Sequence, residues 1–134
     1  MGNCINILDK NGKKIGQATH GLCCGFYVDD IVKRYNPEYN MFSMKDINEQ
    51  LKPVYENGTD EDVLIIRIFM NDDSEFDETY FPHFEKALAK LKDGNKIHET
   101  IKMHLTAYMK VLKELGFMRT KYAGTFAAMA LTKG

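Results

Sequence analysis

The chain has 134 residues, 44% of them apolar and 28% charged, and its 18 basic and 19 acidic side chains leave a net charge of −1. This length and composition are typical of one globular domain spanning residues 1–134, and the sequence has no apolar run long enough to cross a membrane. Three cysteines are too few for a disulfide framework, so we expect a protein of the reducing cytoplasm.

The charge is divided unevenly along the chain. Residues 1–85 carry 8 basic and 16 acidic side chains, a net charge of −8, whereas residues 86–134 carry 10 basic and 3 acidic, a net charge of +7. Such a division either pairs within the fold or leaves two poles that attract partners, and the sequence leaves both open. Lysine far outnumbers arginine, a bias that is compatible with an AT-rich genome such as that of a phage or a low-GC bacterium, and the protein is expected to be encoded by a phage or a mobile element.

The N-terminal segment predicts a β-hairpin. Over residues 4–18, Ile5 and Ile7 alternate on one face, and Asp9–Gly12 has the composition of a turn. A loop bracketed by glycines, residues 21–25, is expected to follow the hairpin.

Two short helices are predicted next. Residues 26–35 have apolar side chains at helical spacing, and Pro37 stops this helix. Ser43 is the expected N-cap of the second helix, with Asp46 in the capping-box position, and Pro53 ends or distorts its last turn.

Residues 63–70, VLIIRIFM, predict the central strand. The run is almost continuously apolar and rich in β-branched side chains, which is typical of a strand covered on both faces. Arg67 interrupts it and must reach a carboxylate or the sheet edge.

Two helices are predicted to follow, over residues 79–92 and 96–115. Pro82 falls in the first turn of the first helix, where its missing N–H costs little, and Asn95 caps the second. The second helix has a strong apolar stripe and ends at Gly116.

Two short C-terminal strands are predicted around Ala123, of which the last, residues 125–132, is alanine-rich and suits a strand or a helix. The predicted fold class is therefore α+β: a mainly antiparallel sheet made of the N-terminal hairpin, the central strand 63–70 and the C-terminal strands, packed with four helices.

Cys23 and Cys24 are candidate nucleophiles because they precede a helix, whose dipole and free N–H groups stabilise a thiolate. His20 is the candidate base beside them. The other interpretation, which we favour, is that two small side chains fill a crowded junction, since no cysteine-enzyme signature surrounds them.

Charged surfaces are the predicted partner-binding sites. The acidic segment after residue 70 is expected to be a solvated loop. The EF-hand calcium pattern fails there, because Phe76 and Pro82 stand where the pattern needs Gly and Glu. The four histidines have no metal-ligand spacing, so no metal site is predicted. The predicted partner-binding residues are Asp72, Asp73, Glu75, Asp77, Glu78, Lys102, Lys110 and Lys113.

Residues 107–131, AYMKVLKELGFMRTKYAGTFAAMAL, resemble the C-terminal segment of GNAT-type N-acyltransferases: a helix ending in Leu-Gly-Phe, then two strands. The resemblance implies a glycine-rich loop for the pyrophosphate of acetyl-CoA after the central strand, and a tyrosine four residues before the helix-ending glycine. Here the matching loop, NDDSEFDETYF, has no glycine and Leu112 replaces the tyrosine. The resemblance therefore implies a degenerate acyltransferase-like protein.

The sequence leaves two classes open. We expect a small non-enzymatic binding or regulatory protein without a cofactor, which engages a protein partner in preference to nucleic acid or a membrane. Self-association through the alanine-rich segment is expected if that edge is open. The alternative is a small enzyme, either acyltransferase-like or with Cys23 or Cys24 as the nucleophile.

Overall fold

The computed structural model describes residues 3–20, 22–40, 43, 45–70 and 73–123. Strands β1 (Asn3–Leu8) and β2 (Lys14–His20) pair antiparallel and confirm the predicted hairpin. One carboxylate oxygen of Asp9 accepts the N–H groups of Asn11 and Lys13, each at 2.9 Å. The turn needs the positive φ of +80° that Gly12 provides.

Helices α1 (Leu22–Tyr35) and α2 (Ile47–Asn57) confirm both predicted helices but change their starting points. The expected loop at 21–25 is wrong over most of its length, because α1 begins at Leu22. The N-cap of α2 is Asp46, whose side chain accepts the N–H of Asn48, so the capping role given to Ser43 is wrong. Pro53 lies inside α2, which continues to Asn57.

The predicted central strand over residues 63–70 is wrong, because helix α3 spans Asp60–Phe69. Thr59 caps this helix by accepting the N–H of Asp62, and three acidic residues occupy the first turn, where the helix dipole favours negative charge. The β-branched residues are accommodated because α3 is buried on most of its circumference, which a continuous apolar run also satisfies.

The acidic segment, predicted as a loop, instead forms strand β3 (Asp73–Asp77) and a short 3₁₀ helix (Glu78–Tyr80). β3 pairs antiparallel with β4 (Phe117–Ala123), and the register sets Glu75 opposite Arg119. Opposite charges that face each other across a pair of strands are favourable, so Arg119 of β4 helps to hold the acidic segment at the sheet edge.

Helices α4 (Phe81–Lys90) and α5 (Lys96–Leu115) confirm the predicted helical pair. Asn95 caps α5 by accepting the N–H groups of Ile97 and His98. Gly116 ends α5 with φ of +70°.

The described strands form one antiparallel sheet in the order β2-β1-β4-β3, and the α+β fold class is confirmed, with five α-helices among the described residues in place of the expected four. The expected strand over 125–132 lies outside the described residues. Side chains alternate on the sheet, and those on one face are buried against the helices: Ile5, Ile7, Ser74, Phe76, Met118 and Thr120.

None of the described helices is both long enough and apolar enough to cross a lipid bilayer.

Candidate functional site

A cleft of about 380 Å³ opens between α2, α3, the 3₁₀ helix and α4. The helical segments bring together residues from two separate parts of the chain, 55–67 and 79–83. The cleft is lined by Tyr55, Gly58, Asp60, Val63, Leu64, Arg67, Thr79, Tyr80 and His83. Its size falls at the lower end of the range typical of small-ligand sites.

Arg67 is the central polar group of this cleft. Its Nη1 donates to the hydroxyl of Tyr80 at 2.7 Å, and its Nη2 donates to the backbone carbonyl of Glu75 at 3.1 Å. The guanidinium also lies over two aromatic rings, 4.7 Å from the centre of Phe76 and 5.3 Å from that of Tyr80. These contacts fix the orientation of the planar guanidinium group.

The charge of Arg67 has no anionic partner in the described part of the chain, where every ion pair involves another cation. Its two hydrogen bonds use two of five N–H donors, and both acceptors are neutral. A half-buried guanidinium is normally paired with a carboxylate, because removing its charge from water is costly. Arg67 therefore offers an incoming anion both charge and N–H donors.

His83 and Asp60 form a second polar pair in the cleft. Nδ1 of His83 lies 3.7 Å from Oδ2 of Asp60, too far for a hydrogen bond but within ion-pair distance. This Nδ1 is buried and has no hydrogen-bond partner among the described residues. The ring of His83 lies 5.6 Å from that of Tyr80, so the pair adjoins the Arg67 contacts.

Tyr55 forms part of the cleft wall and is 38% exposed. Burial raises the pKa of its hydroxyl, and the positive charge of Arg67 opposes that rise. At neutral pH Tyr55 therefore keeps its proton and can donate it in a hydrogen bond to a ligand. The Tyr80 hydroxyl, which already accepts from Arg67, can likewise donate its own proton.

These groups together favour an anion with an apolar body. One guanidinium and two phenolic hydroxyls supply donors, while the aromatic rings supply apolar surface. Asp60 places a negative charge on the same cleft, which opposes a multiply charged ligand. No cluster of three or more metal-ligating side chains occurs in the described part of the chain.

Two of the acidic residues predicted to bind a partner, Glu75 and Asp77, have polar contacts within the chain. Glu75 forms an ion pair with Arg119 across the sheet. Asp77 accepts hydrogen bonds from the N–H and the hydroxyl of Thr79, and the hydroxyl bond is the main reason why the pKa of Asp77 is lowered. Glu78 is exposed, while Asp72 and the side chain of Asp73 lie outside the described residues.

The three lysines predicted to bind a partner lie on α5. Lys102 reaches Asp93 at 2.5 Å, whereas Lys110 and Lys113 are exposed. A partner-binding role for the acidic residues and for these lysines stays a prediction.

Part of the charge division is resolved within the fold. Lys90 pairs with Glu61 at 2.5 Å, and this contact joins the acidic part of the chain to the basic part. The hydrogen bond between them lowers the pKa of Glu61 and raises that of Lys90. The ion pair of Glu75 with Arg119 joins the same two parts.

The backbone places Cys23 and Cys24 in the first turn of α1, with His20 at the end of β2. Their side chains lie outside the described residues, so the cysteine-nucleophile prediction is unchanged. The strand expected before an acetyl-CoA loop is replaced by α3, followed by β3, so the geometry implied by the acyltransferase resemblance is wrong there.

Sequence reasoning identified Arg67 as a residue in need of a polar partner, and it does reach the sheet edge, at the Glu75 carbonyl. Tyr55, Tyr80 and His83 gave no comparable signal, because each stands on a different element and no local spacing joins them.

No protein-family model, curated protein or solved structure matches this chain.

Proposed function

We propose that this chain is a non-enzymatic binding protein that takes a carboxylate of a protein partner into the cleft at Arg67. The observation that carries the proposal is the half-buried guanidinium, which lines a cleft and has only neutral hydrogen-bond acceptors among the described residues. A bound carboxylate would supply the missing counter-charge, with Nη and hydroxyl donors to both of its oxygens.

A carboxylate fits this cleft better than a phosphate does. A single guanidinium balances one negative charge, and Asp60 on the same wall repels a second. Asp60 is turned toward His83, which leaves Arg67 and Tyr80 to meet the ligand.

A protein partner fits the residue types around the cleft. Arginine and tyrosine are the side chains most often found at the energetic centre of protein interfaces, and Arg67 lies here beside Tyr55 and Tyr80. Tyr55 is exposed at the cleft wall and offers apolar surface to the residues that flank the carboxylate.

The test is an NMR titration with two small probes that differ only in charge: N-acetylglutamate α-amide and its neutral isostere, N-acetylglutamine α-amide. We expect the acid to shift the Arg67 side-chain Nε–H and the amides of Tyr80 and His83, with a Kd on the order of millimolar for so small a fragment. Equal shifts with the neutral isostere, or stronger binding of inorganic phosphate, would contradict the proposal.

Two variants make the test specific. Arg67→Gln is expected to abolish the shifts, whereas Lys52→Gln, which removes the same charge from the 73% exposed lysine of α2, should leave them intact. If Arg67→Gln does not fold, Tyr80→Phe keeps every charge, removes one hydroxyl, and should weaken binding severalfold.

A second candidate function is cysteine-based catalysis, supported by the position of Cys23 and Cys24 in the first turn of α1, where N–H groups and the helix dipole favour a thiolate. Iodoacetamide labelling of the folded protein tests it. A thiol that reacts at pH 6 much faster than free cysteine would support this candidate, and uniform slow labelling would contradict it.

A further inference from the structure

The two edges of the sheet differ in how their backbone is protected. At one edge, β3 has five residues and continues directly into the 3₁₀ helix. The Nη2 group of Arg67 donates a hydrogen bond to the backbone carbonyl of Glu75 on this edge. Side chains that cap an edge in this way prevent another strand from pairing there.

The β2 edge has no such cover in the described part of the chain. β2 has seven residues, and β1 is the only described strand with which it pairs. Lys14, Ile15 and Gln17 are exposed along it, with Ile15 41% exposed. A strand of this length whose outer edge has no partner among the described residues is a template for an added strand, although its register with β1 shifts at Ile15.

The charge beside this edge is positive. Lys10, Lys13 and Lys14 are all exposed around the hairpin turn. Asp9, the acidic residue of the turn, is engaged by the backbone N–H groups of Asn11 and Lys13. Lys14 donates to the neutral amide oxygen of Gln17 at 2.9 Å and has no carboxylate partner among the described residues.

We propose that the β2 edge receives an extended, acidic segment of a protein partner, which pairs with it as a fifth strand. Backbone hydrogen bonds to β2 would supply sequence-independent affinity, and carboxylates near the hairpin turn would meet Lys13 and Lys14. The surface is independent of the Arg67 cleft, which lies beside β3 at the other edge of the sheet.

The exposed lysines beside β2 determine which charge an added strand can carry. Lysine on an open edge discourages uncharged or basic strands from pairing, including the same edge of a second copy of this chain. The same positive charges favour an acidic strand, so they select a partner while protecting the protein from self-association.

The test uses an acetylated and amidated peptide with the sequence DSEFDETY, which is residues 73–80 of this chain and includes its own acidic edge strand. The control peptide, NSQFNQTY, replaces each acid with its amide. We expect the acidic peptide to shift the amides of Lys14, Ile15 and Gln17, to slow hydrogen exchange along β2, and to bind at least fivefold more tightly than the control.

Variants separate the edge from general charge effects. The Lys13→Gln/Lys14→Gln pair should weaken binding about fivefold, whereas the Lys110→Gln/Lys113→Gln pair on α5 removes the same charge and should leave it unchanged. Three results would overturn the proposal: equal binding of both peptides, shifts confined to β4 because the peptide replaces β3, or no binding at millimolar peptide. A concentration-dependent dimer that already protects β2 without peptide would overturn it as well.

Discussion

The guanidinium of Arg67 lies 4.7 Å from the centre of the Phe76 ring, so a helix side chain is stacked on the edge strand of the sheet. From this position Arg67 also donates to the carbonyl of Glu75 and to the hydroxyl of Tyr80. One residue thus closes the β3 edge and provides the cation of the cleft. Binding at the cleft and the position of β3 are therefore expected to be linked.

Arg67→Lys should destabilise the protein by about 1 to 2 kcal/mol, measured as the free energy of unfolding in urea. Lysine keeps the charge but loses the planar stacking and cannot donate in two fixed directions at once. The matched control is Arg34→Lys. Arg34 is 52% exposed, and its Nη1 lies 3.6 Å from Oδ2 of Asp62, beyond hydrogen-bond distance, so this change should cost no more than about 0.5 kcal/mol. Equal losses in both variants would contradict a special role for Arg67.

The α3 segment carries two sequence signals that conflict. Val63 and the isoleucines after it favour a strand, whereas Thr59 followed three residues later by Asp62 is a helix start signal. The helix forms because packing covers almost all of its apolar side chains, including Ile66 and Ile68, so a largely buried helix satisfies the same apolar run. Local pattern alone does not separate these two outcomes.

Thr59→Ala is the direct test of this start signal. Loss of the hydroxyl that accepts the N–H of Asp62 should lower the free energy of unfolding by about 1 kcal/mol. Thr59→Ser keeps the hydroxyl and should stay within about 0.5 kcal/mol of the original protein. If both variants are neutral in urea unfolding, the cap does not stabilise α3.

The acidic strand shows a different limit of sequence reasoning. Glu75 pairs with Arg119, which is 44 positions away, so nothing near Glu75 in the sequence predicts its partner. The same holds for the cleft, whose polar residues come from α2, α3, the 3₁₀ helix and α4. The hairpin, both ends of α5 and the fold class depend on local signals such as Asn95 and Gly116, and these were predictable.

Gly116 is predicted to resist substitution for two separable reasons. Its φ of +70° is costly for any residue with a Cβ, and an added Cβ would lie 3.0 Å from Oε1 of Glu78. Gly94 has a similar φ of +79° with no atom within 4 Å of an added Cβ, so Gly94→Ala isolates the backbone cost, about 1 kcal/mol. Gly116→Ala should cost more than this in thermal or urea unfolding, and adding Glu78→Ala should recover the excess. A Gly116→Ala cost equal to that of Gly94→Ala would show that Glu78 simply moves aside.

His104 should make the stability of the protein depend on pH. It lies on α5 with its ring stacked on Phe69 at 6.0 Å, and its Nδ1 is buried without a hydrogen-bond partner among the described residues. Burial lowers the pKa of His104 in the folded protein, whereas the unfolded chain has the ordinary value of about 6.5. As pH falls through about 6.5, the unfolded state takes up the proton first, so the free energy of unfolding decreases until the folded-state pKa is passed.

His104→Phe keeps an aromatic ring against Phe69 but cannot titrate, so its urea midpoint should change less between pH 7.5 and pH 5.5 than that of the original protein. Since all other titrating groups are common to both proteins, an identical change in the two would show that His104 is not the group responsible.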